Sequence, residues 1–226
     1  MCFSATANFA GSAVLGTIGI ATLAEVKHRR EALFGAMPLL FAFHQFIEGF
    51  VWLGLDNVLP SYVAHDAGAA FVLYAQGLLP FLLPLSVYLI EPTRHRQRRM
   101  LWFVLLGGGL MLYLLWGLTA YPLQVSARSH SIVYFNPITT TKVVAVLYVI
   151  ATCGALLFSG FRYLIALGIA NLAGLLVVMV VMAYAFTSIW CAYAAVISVL
   201  IYFHFHRRRH MPDVAYTEFP LKPRLG

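Results

Sequence analysis

The sequence predicts an all-α fold: a polytopic membrane bundle of seven transmembrane helices, N-terminus outside and C-terminus cytoplasmic. Three observations carry that prediction. Of 226 residues, 62% are hydrophobic and 10% charged, with a mean hydropathy of +0.84, whereas soluble domains carry about a quarter charged residues. The charges gather into short clusters separated by apolar runs of about twenty residues, the length at which a helix crosses a ~30 Å hydrocarbon core. Finally, seven spans sort the basic residues by side. Lys27, Arg29, Arg30, Arg94, Arg96, Arg98, Arg99, Arg162, Arg207, Arg208, Arg209, Lys222 and Arg224 fall on one side, leaving only Arg128 and Lys142 of the 15 on the other. The positive-inside rule makes the crowded side cytoplasmic. Six spans would divide these clusters between the two faces.

The expected spans are residues 8–24, 33–55, 67–90, 101–120, 143–160, 163–186 and 188–205, within one domain of residues 1–209. The first is rich in small residues, with Ser12 and Gly16 spaced for close helix contact. No secretory leader is expected, because Met1-Cys2-Phe3-Ser4-Ala5 has no positive charge and no cleavage-type pattern follows the first apolar run. Pro80 and Pro84 predict a kink or local unwinding in the third span, since each removes an intrahelical hydrogen bond. Gly107-Gly108-Gly109 predicts close approach of the fourth span to a neighbour. The longest connection, Tyr121 to Thr141, holds a turn-like Asn136-Pro137 and is expected to lie over the membrane face as a partial lid. Spans five and six are joined by a tight hairpin at Phe161-Arg162. Residues 210–226, with Pro212, Pro220 and Pro223 and little periodicity, read as a disordered cytoplasmic tail.

The second span contains the most unusual stretch, Leu40 to Trp52, which carries His44, Gln45 and Glu48 in an apolar run. Glu48 is the only carboxylate that this topology places well inside the membrane. An ionisable side chain in hydrocarbon costs at least about 2.5 kcal/mol, so it marks a functional site by default. At ~1.5 Å per residue, Glu48 lies about 20 Å from the inner end of the span, in the outer half. His44, Glu48 and Trp52 recur every four residues and share a face, with Gln45 beside it. That spacing suits a His–carboxylate hydrogen bond, a proton relay or two ligands to one cation. The structural alternatives are a protonated Glu48 that glues helices together, a satisfied core His44 and an interfacial anchor at Trp52. Gln76, Trp190, Cys191 and Cys2 reach the same outer level and could wall the site, together with Ser4, His65, Asp66, His130 and Asn171. The plainer reading makes Gln76, Cys191 and Asn171 packing residues and His65 and His130 solvated loop residues. Cys2 and Cys191 share a side, so a disulfide between them is also open.

Several chemistries are disfavoured. The net charge of +7 sits in runs at span ends, where orienting charges belong, so nucleic-acid binding is not expected. A retinal Schiff base needs a buried lysine, and none of Lys27, Lys142 and Lys222 lies inside a span. A seven-helix zinc hydrolase of the alkaline-ceramidase type would need a His-x-x-x-His pair in its last helix. His204 and His206 are two apart, so they face different directions at the cytoplasmic end.

Met1-Cys2-Phe3-Ser4-Ala5, Gln45-Phe46-Ile47-Glu48-Gly49-Phe50-Val51-Trp52 and Ser188-Ile189-Trp190-Cys191-Ala192-Tyr193-Ala194-Ala195-Val196-Ile197-Ser198 together resemble the hallmarks of an uncharacterised bacterial integral-membrane family that opens with MCFSA. The resemblance implies a multi-helix membrane domain of unknown function, and it weights Gln45 and Glu48 over His44.

Three functions follow as expectations. The first is binding or transport of a small polar solute, cation or proton at an outward-facing site centred on Glu48 in the inner membrane. The second is a membrane-embedded metal-dependent lipid hydrolase using Glu48, His44 and Cys2, Cys191 or His65. The third is an accessory subunit of a larger membrane complex.

Overall fold

The computed structural model describes residues 4–128, 131–182 and 186–209, without side-chain detail for 177–193 and 208–209. Seven helices follow in chain order: α1 Ala5–Glu25, α2 Arg29–Leu55, α3 Ser61–Ile90, α4 Arg94–Ala120, α5 Lys142–Leu157, α6 Arg162–Met182 and α7 Phe186–Arg209. The first four are long and apolar enough to cross a membrane, and the later ones contribute the shorter apolar stretches Lys142–Leu157, Arg162–Leu176 and Ala194–Arg207.

The helix ends have local causes. Ser4 caps α1, its hydroxyl accepting from the Ala7 N–H at 3.2 Å, and Thr141 caps α5 in the same way through Val144 at 3.3 Å. α2 ends in a Schellman turn. Asn57 takes the left-handed conformation at φ 58°, and Val58 N–H reaches back to the Leu53 carbonyl at 3.0 Å. Pro60 then starts α3.

Two expected boundaries differ. α3 begins at Ser61 and takes His65 and Asp66 into its first turns. α4 begins at Arg94, so the basic cluster forms helical turns and not a connection. The chain is mostly helical, as expected, but the connection between α4 and α5 holds a short hairpin in which β1 Gln124–Arg128 and β2 Ser131–Phe135 pair antiparallel, Gln124 opposite Phe135. Alternation explains it: Ile132 and Tyr134 are buried while Val133 is half-buried and Phe135 faces out, a period no helix can use.

The prolines of α3 are preceded by a local change in winding. Residues Leu73–Leu78 widen into a π-helical turn, with Leu79 N–H bonded to the Tyr74 carbonyl. Pro80 has no N–H and its ring would crowd the carbonyl four residues back, so the turn before it opens by one residue.

The core has two parts. At the end bearing the hairpin, Val51, Trp52, Phe71, Val72, Leu114, Leu123, Ile132 and Tyr134 pack together. At the other end, where Arg29, Arg30 and the α4 basic residues lie, the cluster includes Phe34, Ile90, Leu156, Phe161, Leu164 and Phe205. The hairpin therefore packs over α2, α3 and α4 at this end.

Candidate functional site

α2 turns one face into the bundle. His44, Gln45, Glu48 and Trp52 are 6%, 1%, 0% and 5% exposed, while Phe43 and Phe46 between them point outward. The four-residue spacing sets this face. α1 fits against it because its contacting residues are small. Ser12 donates to the Ala42 carbonyl at 2.8 Å, and a side chain on Gly19 would meet the Leu39 backbone at 2.6 Å. Gly16, expected to be the close contact, has ordinary spacing from Ala42 at 3.9 Å; the tight point is one turn further on.

That antiparallel register brings Asn8 to the level of Glu48, since a Cβ on Gly49 would touch the Phe9 ring. Asn8 is fully buried, and its Nδ2 donates to the Ser4 carbonyl at 3.2 Å. Sequence reading missed it, although its period with Gly11, Leu15, Gly19 and Thr22 marks the inward stripe of α1.

α3 supplies the opposite wall. The His44 ring lies on Phe71, centroids 3.9 Å apart and planes within 18°, and hydrogen-bonds the Phe71 backbone. Phe71 in turn stacks on Tyr134 of β2 at 4.6 Å and 17°. A three-ring stack thus runs from the hairpin roof through α3 to α2. Tyr74, on the π turn, stands 5.0 Å from the His44 ring. The π turn also carries Gln76, which is half-buried. Among the described residues, His44 Nε2, Trp52 Nε1, the Tyr74 hydroxyl and Asn8 Oδ1 are buried without a protein hydrogen-bond partner. Trp52 is thus a core residue beneath the hairpin, not the interfacial anchor that its place near the span end suggested.

Cys2, His130 and the side chains of Trp190 and Cys191 lie outside the described residues, and with them the Cys2–Cys191 pairing and the tail after Arg209. His65 and Asp66 are exposed and pair with each other at 3.2 Å. Asn171 bridges helices, donating to Cys153 Sγ at 3.4 Å. His204 stacks on Tyr163 at 3.5 Å, and His206 reaches Glu25 of α1 at 3.2 Å. Among the described residues no three His, Cys, Asp or Glu side chains gather as a metal site would require.

One polar cluster escaped sequence reading, and a second was read there only as a turn. Glu91, at the end of α3, is as buried as Glu48. Its Oε1 accepts from the Ser159 hydroxyl and the Gly160 N–H, both at 2.7 Å, which clamps α3 to the α5–α6 turn. Asn136, before its proline, bonds the Gly117 and Tyr121 carbonyls and accepts from Ile138 and Thr139, which fixes the hairpin's return to α5.

An apolar cavity lies between α2, α3, α5, α6 and α7, on the side of Glu48 towards the basic end. Its lining includes Phe34, Leu156, Leu167 and Ile201, with Tyr148, Thr152 and Asn171 as polar members. Tyr148 is close enough to Tyr74 to interact with it electrostatically.

No curated protein and no solved structure matches this chain. One family model does match, over residues 1–217, a span that includes every helix described above and the whole of the α2 face, and the chain accordingly belongs to the family of unknown function DUF6629.

Proposed function

We propose that this chain is a multi-pass inner-membrane protein of seven crossing helices, N-terminus outside, that binds and moves a cation, proton or small polar solute at an intramembrane site. Glu48 is the centre of that site, with Gln45, His44 and Trp52 on the same face and Tyr74 opposite. The observation that carries the reading is the set of side chains around Glu48. A fully buried carboxylate shares its helix face with polar groups, against a π-helical turn. Polar groups gathered in an apolar interior are costly unless a partner or ligand uses them, and π turns concentrate at functional sites. Orientation follows from the thirteen clustered basic residues, which the positive-inside rule sets in the cytoplasm. The site would then lie in the outer half, beneath the hairpin.

The test is thermal unfolding of detergent-purified protein against a panel of alkali and alkaline-earth cations, small polar solutes and pH steps. Wild type should be stabilised by at least one of them. Glu48→Gln should weaken that response by roughly tenfold to a hundredfold, the cost of losing a charge-assisted contact. An undiminished response in Glu48→Gln to every active ligand would remove Glu48 from the site.

A further inference from the structure

We infer that the species held at Glu48 is a sodium ion, and that the side-chain oxygen of Asn8 on α1 coordinates it together with the amide oxygen of Gln45. This rests on the reading of Glu48 as the centre of the site.

Asn8 is fully buried, and its Nδ2 donates to the Ser4 carbonyl at 3.2 Å. That bond fixes which way the amide points, because turning it over would set oxygen against a carbonyl oxygen. Oδ1 is therefore held on the other side, and it is buried with no protein hydrogen-bond partner among the described residues. A bare acceptor inside a protein is costly, and it calls for a donor or a cation.

Contacts along the seam between α1 and α2 place that oxygen. The Phe9 ring lies 5.5 Å from the rings of both Phe46 and Phe50, and a Cβ on Gly49 would meet it at 2.6 Å. Farther along, a Cβ on Gly19 would meet the Leu39 backbone at 2.6 Å. Phe9 to Gly19 and Leu39 to Gly49 are each ten residues, so the two helices run antiparallel in step. Asn8 then falls level with Phe50, two residues or ~3 Å along the axis from Glu48. Its direction follows as well. Asn8 precedes Gly19 by eleven residues, three turns to within ~20°, so it faces α2 as Gly19 does. Ser12, one turn on from Asn8, bonds the Ala42 carbonyl of α2 at 2.8 Å. Asn8 thus comes to the level of the inward pair Gln45 and Glu48, which are 1% and 0% exposed.

The donor set selects the ion. Carboxylate and amide oxygens are hard ligands, suited to alkali and alkaline-earth cations and not to thiophilic metals. Glu48 balances one positive charge. Calcium or magnesium would bring two and leave an excess charge buried, and calcium takes six to eight oxygens. Among the described residues no three His, Cys, Asp or Glu side chains gather to supply them. The close packing of α1 on α2 leaves room for a small ion, which favours sodium over potassium. The competing occupant is a proton on Glu48, whose O–H would also satisfy Asn8 Oδ1; dependence on sodium at fixed pH separates the two.

Thermal unfolding of the detergent-purified chain tests this at fixed alkaline pH, with sodium chloride titrated against choline chloride at constant ionic strength and potassium and calcium chloride as parallel arms. Wild type should melt higher in sodium than in potassium, and an equal response to both would overturn the choice of sodium. Asn8→Ala should raise the sodium midpoint by about tenfold. Asn8→Asp adds a second negative charge, and should let calcium stabilise the protein where it does not stabilise wild type. A purely structural Asn8 would not produce that change of ion. Stabilisation by acid or by another solute, and not by sodium, would overturn the sodium assignment, yet leave the Glu48 site standing if Glu48→Gln abolishes that response. A sodium response undiminished in Glu48→Gln would overturn the site and the sodium assignment together. An unchanged sodium midpoint in a folded Asn8→Ala would remove Asn8 from the ligands. Should Asn8→Ala fail to fold, Asn8→Asp decides: a new calcium response supports the site, and a wild-type sodium midpoint with no response to calcium overturns it.

Discussion

Replacing Gly107 with alanine is expected to cost the bundle about 1–3 kcal/mol or more, while the same change at Gly108 or Gly109 stays within about 0.5 kcal/mol of wild type. A Cβ at Gly107 would run into the Pro80 carbonyl oxygen and lie 2.9 Å from the Phe81 Cα, both of them backbone and unable to step aside. At Gly108 the nearest atoms are in the Phe81 ring at 3.6 Å, and at Gly109 nothing lies within 4 Å. The proline pattern of α3 explains why α4 comes so close there. In a regular helix the Pro80 carbonyl would accept from residue 84, but Pro84 has no N–H to give. The freed oxygen faces Gly107, whose missing side chain admits the Cα–H as a weak donor. Substitution therefore separates two helices and strands a carbonyl in an apolar interior. Thermal unfolding of the three single variants in one detergent decides the matter. If Gly107→Ala melts with Gly109→Ala, α3 and α4 do not meet as described.

The three glycines also show what could be read from the chain and what could not. Composition and charge spacing were enough for the helical bundle, and the every-fourth-residue pattern at His44, Glu48 and Trp52 was enough for the buried face of α2. Periodicity within one helix says which residues share a side. It does not say which side meets a neighbour, so Gly107, Gly108 and Gly109 were equivalent until α3 was in place. Asn8 and Glu91 were hidden for the same reason: each becomes buried through a partner thirty or more residues away. The hairpin had a local signal, since Ile132 and Tyr134 alternate with Val133 and Phe135 over a strand's length. The polar Ser-Ala-Arg-Ser-His before them diluted it. Pro80 and Pro84 announced a disturbance in α3. That it takes the form of a widened turn carrying Tyr74 could not be read from the two prolines alone.

Glu91→Ala should be the most damaging single change outside the Glu48 region, with a loss of about 2–5 kcal/mol. The carboxylate is fully buried, and one oxygen takes two short hydrogen bonds, from the Ser159 hydroxyl and the Gly160 N–H. Truncation leaves both donors inside the protein, and neither can turn to water without opening the α5–α6 turn. Ser159 is further committed, because its oxygen accepts the Phe161 N–H at 3.2 Å while its hydrogen goes to Glu91. Glu91→Gln keeps an acceptor oxygen at the same place, so it should cost less than half as much. Ser159→Ala removes the bond to Glu91 and the one from the Phe161 N–H but leaves Gly160 satisfied, and should fall between the two. A global melt gives the order, and limited trypsin digestion at the exposed Arg162 gives the location, because a loosened turn is cut sooner. An Glu91→Ala protein that melts with wild type and resists cleavage at Arg162 would show that the clamp carries no weight. The consequence for function is indirect but specific. The same turn ends α5 beside Leu156 and starts α6 towards Leu167, two walls of the cavity. Releasing Glu91 should therefore loosen the basic end of that cavity while leaving Glu48, His44 and Tyr74 in place, so the variant should melt earlier yet keep the ligand stabilisation that depends on Glu48.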